Sequence, residues 1–262
     1  WARAGHHRGA LFMSPPLTRS TVISAFLRSF LIQGSWNYRT MIGNGFAFAM
    51  LPALKRMFGD DPEALDASLR RHVNHFNVHP YLSGLALGAA LRLEADGTDA
   101  ETVTRFKMAI RGPLGGLGDA LVWATWLPAV SMLALALWWV GTPGWMTVVF
   151  FLVLYNAGHL ALRVWGFRSG LREGRAVAQA FTRANLVNIH DRLREAATVM
   201  IGLLVGVALA SPTGLVHTGL PWAALGMLAF VVGLKIGHRI WRPTAIAVVT
   251  AIASLSTWGI VT

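Results

Sequence analysis

Three stretches of the chain, 120–162, 196–234 and 243–262, contain no Lys, Arg, Asp or Glu, so all 23 basic and 12 acidic residues fall in the blocks 3–119, 163–195 and 235–242. A soluble domain scatters charge over every exposed helix face. A hydrocarbon core excludes it, because an ion at the middle of a helix costs about 3 kcal/mol even on insertion scales. The pattern therefore predicts an all-α polytopic membrane protein. Roughly 20 helical residues cross about 30 Å of hydrocarbon. Residues 120–140 and 145–165 have that length and are separated by Gly141-Thr142-Pro143-Gly144, which predicts a helical hairpin. Residues 196–210, 222–236 and 244–261 are the remaining candidates, giving about five transmembrane helices.

The first 119 residues follow a different pattern. Within 18–33, Val22, Ile23, Phe26, Leu27, Phe30 and Leu31 recur at helical spacing opposite Arg19, Ser24 and Arg28. This reads as an amphipathic helix, lying either on the inner leaflet or against a partner subunit. Two apolar runs, 41–54 and 80–91, are too short to cross a bilayer and are interrupted by Gly43, Gly45 and Pro52 in the first and Gly84 and Gly88 in the second. They read as half-length, re-entrant helices of a transport protein, or as buried core helices. Between them Asp61-Pro62-Glu63 starts a helix, with Leu65, Leu69, His72 or Val73, and Phe76 on one stripe. The organisation expected is a tail at 1–17, cytoplasm-facing amphipathic and re-entrant helices at 18–119, and a transmembrane helical region at 120–262.

Charge then orients the spans. The turn at 141–144 has no basic residue and 163–194 has seven Arg; 211–221 has none, and Lys235, Arg239 and Arg242 follow. The positive-inside rule puts 163–195, 235–243 and the basic N-terminal part in the cytoplasm and the C-terminus outside. Trp138, Trp139, Trp145, Trp165, Trp222, Trp241 and Trp258 fall near span ends, as an interfacial aromatic belt requires. A net charge of +11 suggests nucleic acid only until position is considered. The arginines flank apolar stretches, so anionic lipid headgroups are the expected partners and no nucleic acid is. Without Cys there are no disulfides and no thiolate metal sites.

Candidate chemistry is sparse. His72, His75 and His79 lie within two turns, but Pro80 ends the helix and no carboxylate stands at ligand spacing, so no metal is expected. Arg111-Gly112-Pro113-Leu114-Gly115-Gly116-Leu117-Gly118-Asp119 has no Lys-Ser/Thr ending and no preceding strand, so no nucleotide is expected either. Its glycines suggest close backbone approach to another segment, with Asp119 capping the first long span. No nucleophile is paired with a base, and no cofactor is implied.

Gln33-Gly34-Ser35-Trp36-Asn37-Tyr38, Arg70-Arg71-His72 leading to Phe76-Asn77-Val78-His79-Pro80, and Gly112-Pro113-Leu114 leading to Gly118-Asp119 with Trp123 together resemble one family. It is the IID membrane component of the mannose/fructose/sorbose-type sugar phosphotransferase system. Tyr155-Asn156, His159-Leu160 and Arg163-Val164-Trp165-Gly166-Phe167 continuing to Gly170 and Gly174 extend the likeness. The resemblance implies a multi-pass protein of the cell inner membrane with a IIC membrane partner, plausibly as a trimer of IIC–IID pairs, and cytoplasmic IIA and IIB proteins that relay phosphate on histidines to an incoming hexose. On this reading Trp36, Asn37 and Asn77 contact the sugar and Asp119 shapes or gates the site. An indole face packs on a pyranose ring, and an Asn amide both donates to and accepts from hydroxyls. Val78, Arg111 and Leu127 depart from the family's usual Thr, small residue and Arg. Arg111 and Leu127 favour the alternative, a membrane-anchored regulatory or scaffold relative without sugar uptake.

Overall fold

The computed structural model describes residues 17–210; the tail before them and the expected spans 222–236 and 244–261 lie outside the described residues. Within this range the chain folds as α1 (Arg19–Arg28), α2 (Gly43–Phe58), α3 (Pro62–Val73), α4 (Ser83–Ala95), α5 (Ala100–Gly118), a π-helical segment (Asp119–Trp126), α6 (Leu127–Trp139), α7 (Gly144–Glu173), α8 (Val177–Ala184) and α9 (Leu186–Ala210).

The starts obey local chemistry. Thr18 caps α1 by accepting from Thr21 N, and Asp61 caps α3 by accepting from Ala64 N at 2.9 Å with Pro62 in the first turn. Inside α2, Pro52 has no N–H to give to the Phe48 carbonyl four residues back. That freed oxygen accepts from Arg28 Nη1 at 3.4 Å, and the Arg28 guanidinium lies 4.6 Å from the Phe48 ring centroid. A proline in α2 is thus tolerated because α1 supplies the missing donor.

α4 is the centre of the molecule. Ser83 through Leu91 are all buried, as are Leu93 and Glu94, and α2, α5 and α7 pack around the helix. An apolar helix without a polar face is stable only when enclosed on all sides, so the short run read from the sequence is a core helix covered by protein. Its partner of closest approach is α7. A Cβ on Gly84 would stand 3.0 Å from Arg163 O, and one on Gly88 would overlap Phe167 O. In return, a Cβ on Gly166 would stand 3.2 Å from Leu85 N, and one on Gly170 would overlap Leu85 O. The two GxxxG pairs interlock, which lets the helix backbones touch. The spacing at Gly84 and Gly88 had suggested a surface for a partner or a second copy. That surface is filled from within the chain, because a matching pair lies some eighty residues downstream, at Gly166 and Gly170.

Two boundaries differ from the sequence expectation. The glycine-rich segment is helical, and helix continues unbroken from Ala100 to Trp139, so Asp119 caps nothing. Its N–H is already bonded to Gly115 O and Gly116 O inside the helix. Pro113 removes only one backbone bond, and the strain ahead of Pro128 is absorbed by the π-helical turn, where Thr125 Oγ1 donates to Leu121 O at 2.7 Å. Likewise the basic region 163–195 is not a loop. α7 runs through it to Glu173 and α8 and α9 follow, with Asn185 between them in the left-handed region at φ 50°. A row of arginines reports contact with water or headgroups, and arginine is a good helix former. The hairpin itself is as expected: α6 ends at Trp139, Gly141 turns at φ 93° and α7 begins at Gly144.

A buried polar knot fixes α3, α4 and α5. Glu94 is 2% exposed and accepts from Arg71 Nε at 2.8 Å, Arg71 Nη2 at 3.1 Å and His72 Nε2 at 2.8 Å. Lys107 Nζ donates to Arg71 O at 2.9 Å and His72 O at 3.2 Å, satisfying the last carbonyls of α3, while burial pulls the amine down to about 7. The ammonium also lies 5.0 and 5.1 Å from the Phe46 and Phe76 ring centroids. Burial pushes His72 down to about 4, against the pull of Glu94. Burial would raise the Glu94 carboxyl, but hydrogen bonds from His72 and Arg71 outweigh it and hold it at about 2. The pair is therefore a carboxylate and a neutral imidazole. His72 Nε2 carries the hydrogen, and the unpartnered Nδ1 is a bare lone pair, the cheaper group to leave unsatisfied.

Candidate functional site

The three motif segments of the N-terminal part adjoin one another in the fold. Asn37 builds the first. Its Oδ1 accepts from Arg39 N and Thr40 N, both at 3.0 Å, while Nδ2 donates to Ser35 O at 3.1 Å and Thr40 Oγ1 at 2.8 Å. Both amide hydrogens and both lone pairs are thereby used within the turn. That turn presents Trp36 and Tyr38 outward, their rings packed edge to face at 4.8 Å between centroids.

Backbone pairing brings in the second segment. Phe76 N donates to Thr40 O at 3.2 Å and Ile42 N to Phe76 O at 3.1 Å, with Met41 in the left-handed region at φ 54°. Phe76 and Val78 are buried in the core, so the extended backbone turns Asn77 outward between them. Among the described residues its side chain has no hydrogen-bond partner. Val78, one of the departures from the family pattern, is a core residue, and Arg111, another, reaches His75 Nδ1 at 3.4 Å.

The third segment is the helix running through Asp119. A Cβ on Gly118 would collide with the His79 ring, so glycine is required there for the helix to seat against the second segment. Asp119 follows and is exposed. One turn on, Trp123 is 47% exposed and lies 5.5 Å from the His79 ring and 6.1 Å from Tyr81. Of the sequence-chosen residues, Trp36, Asn77 and Asp119 are accessible on adjoining segments and Asn37 is locked in its own turn. No hydrogen bond or ring contact joins the four to one another among the described residues.

Behind this face lies a cluster that the sequence did not assemble. Tyr81 stacks on His159 at 3.8 Å and its hydroxyl meets that of Tyr155 at 2.8 Å. Arg163, 4% exposed, donates from Nε to His159 Nε2 at 2.6 Å and from Nη1 to Ser29 O at 3.0 Å, with the Phe30 ring 4.8 Å away. His79 Nδ1 accepts from Tyr81 N at 3.2 Å, which leaves the hydrogen on Nε2, buried and without a partner. Burial, with Arg163 and His159 adding to it, lowers His79 to about 4, so its ring is neutral. Tyr81 and Glu94 carried the signals available in sequence: Glu94 is the only acid between residues 67 and 95. No group of three or more His, Asp or Glu side chains among the described residues is placed to hold a metal ion.

The family profile for the "PTS system mannose/fructose/sorbose family IID component" matches residues 16–253. The chain belongs to that family. Among IID relatives, the mannose-specific EIID component of Escherichia coli (strain K12) is 33% identical over 200 residues, covering 74% of this chain and 68% of the relative. The fructose permease IID component of Bacillus subtilis (strain 168) is 30% identical over 200 residues, covering 74% and 70%. A solved complex of the mannose transporter ManYZ with microcin E492 contains a chain 26% identical to this one at a TM-score of 0.57, covering 94% of this chain and 97% of that one. A second solved structure, described as a membrane protein, reaches a TM-score of 0.68 at 26% identity, covering 94% and 98%. Membrane location accords with the continuous helix Ala100–Trp139 and the helical stretch Gly144–Ile201 that begins with α7, each containing a segment long and apolar enough to span a bilayer.

Proposed function

We propose that this IID component, together with a IIC membrane partner, binds and translocates a hexose whose phosphorylation is supplied by IIA and IIB proteins. What supports the reading is that the family's separate motifs adjoin, Thr40 and Ile42 pairing with Phe76 and Gly118 seating on His79, while Trp36, Asn77 and Asp119 are exposed on those segments. Trp36 packs against a pyranose face, Asn77 exchanges hydrogen bonds with hydroxyls, and Asp119 accepts from them and shapes the opening. Asn37 acts at the same site by holding the turn that carries Trp36 and Tyr38. Positioning is this chain's part in that reading, and phosphate moves on its partners. The mannose transporter complex supports a paired assembly, and trimers of such pairs in the inner membrane, N-terminus inside and C-terminus outside by the positive-inside rule, complete the proposal.

The test is made on purified complexes of this chain with its IIC partner. Leaving a sugar hydroxyl unpaired costs about 1–3 kcal/mol, so Asn77→Ala and Asp119→Ala are expected to weaken hexose binding by about 5- to 150-fold. Mannose, fructose and sorbose are the first sugars to titrate, since relatives are named for them. Unchanged affinity in correctly assembled complexes of both variants removes these residues from the site. Uptake by this chain without any partner would overturn the paired reading, and assembly with IIC but no uptake of any hexose would return the scaffold alternative.

A further inference from the structure

A groove of about 200 Å³ runs between α1 and α7, lined by Val22, Ile23, Phe26, Val164, Phe167 and Leu171, with Arg168 at its rim. The helices are antiparallel along it: Phe30 lies beside His159, Phe26 packs on Phe167 at 5.3 Å, and Val22 shares the groove with Leu171. Polarity therefore changes in the same direction on both walls. Towards one end lie the exposed Leu27 of α1 and Leu31 in the turn just after it, and α7 leads back to its exposed apolar stretch at Val148, Val149, Leu152 and Val153. At the other end α1 begins with Arg19, and α7 carries Arg168 and Arg172, all three exposed. Arg168 has no ion pair or hydrogen bond among the described residues, and Arg172 is held only by the neighbouring Glu173.

We propose that this groove binds one anionic phospholipid, an acyl chain lying between α1 and α7 and the phosphate of its headgroup between Arg168 and Arg19. An apolar channel in a membrane protein, open along its length and crowned at one end by uncompensated guanidinium groups, matches a lipid in both shape and charge. It also explains why only half of the α1 stripe is buried. Val22 and Phe26 pack on the core, while Ile23, Leu27 and Leu31 remain for lipid. The assignment needs only the membrane location of the chain and is independent of the sugar or the phosphate relay.

The experiment is native mass spectrometry of the full chain released from bilayers of phosphatidylcholine and phosphatidylglycerol in equal amounts. Wild type is expected to retain one phosphatidylglycerol in preference to phosphatidylcholine. Arg168→Gln is expected to lower that preference about fivefold, the contribution of one basic residue to an anionic surface. Val164→Trp fills the groove and is expected to expel both lipids, with helical circular dichroism unchanged as the control for folding. Equal retention of the two lipids by wild type, or undiminished phosphatidylglycerol on a folded Val164→Trp chain, would overturn the assignment. So would a IIC partner that cross-links across the groove from Ile23 to Val164 and excludes the lipid.

Discussion

At the scale of single residues the decisive feature is a carboxylate buried in the core, three residues past the apolar run 80–91. Glu94 is buried with two arginine bonds and one from a histidine, and Lys107 caps the helix that presents them. Removing one partner of such a buried set leaves charge uncompensated, at a cost of about 3–5 kcal/mol. Glu94→Ala is therefore expected to abolish recovery of monodisperse protein in mild detergent, with Glu94→Gln intermediate; equal recovery of all three would contradict the knot. The same residues set a pH dependence. Between pH 6.5 and about 4 the unfolded chain binds a proton at His72 that the folded chain refuses, so stability falls on acidification through that window. Below about 4.5 the unfolded chain also protonates Glu94 while the folded one holds it ionised to about 2, and the loss steepens. Thermal unfolding from pH 7 to 4 should show a falling midpoint. In His72→Gln, which keeps an N–H towards Glu94 but cannot titrate, the slope above pH 4.5 should become shallower, the remainder belonging to His79, which burial lowers into the same window.

At the scale of elements the fold depends on the contact of α4 with α7. Gly88 and Gly116 make a controlled pair, because both are helical glycines with opposite surroundings. A Cβ at Gly88 would overlap the Phe167 carbonyl, which is backbone and cannot step aside, whereas nothing lies within 4 Å of a Cβ at Gly116. Gly88→Ala is expected to lower the thermal midpoint, with overpacking costing about 1–3 kcal/mol. Gly116→Ala is expected to raise it, by up to about 1 kcal/mol of helix propensity. Similar shifts for the two would mean that α4 and α7 are not in backbone contact. The same geometry explains why the short apolar run 80–91 does not need to cross a bilayer: its backbone and its apolar surface are both enclosed by the chain itself.

At the scale of the whole molecule, the proposed orientation is open to a direct check because the chain contains no Cys. A single Cys at Gly144, in the arginine-free turn of the hairpin, should react with an impermeant thiol reagent in intact cells. One at Arg175, beyond the basic end of α7, should react only after permeabilisation. The reverse pattern would invert the topology. Because α7 joins the two positions, the two results constrain the direction of that helix, and they also report which side faces the lipid headgroups proposed at Arg168.

Charge-free stretches, cap signals and helical spacing determined by themselves that the chain is a helical membrane protein with a hairpin at 141–144, because the cost of an ion in hydrocarbon and the needs of a helix start are local quantities. The motifs around Trp36, Asn77 and Asp119 pointed to the family for the same reason: each is contiguous. Tertiary structure decided what depends on distant partners. Two GxxxG pairs identified one another only when folded, and Asn37, chosen as a ligand for its amide, turned out to spend that amide on its own loop. The helix through Asp119 survives its glycines and proline because His79 packs into the gap at Gly118 and a π-helical turn takes up the strain. Arg71, His72, Glu94 and Lys107 become one site only through the packing of α3, α4 and α5, and no spacing in the sequence records that meeting.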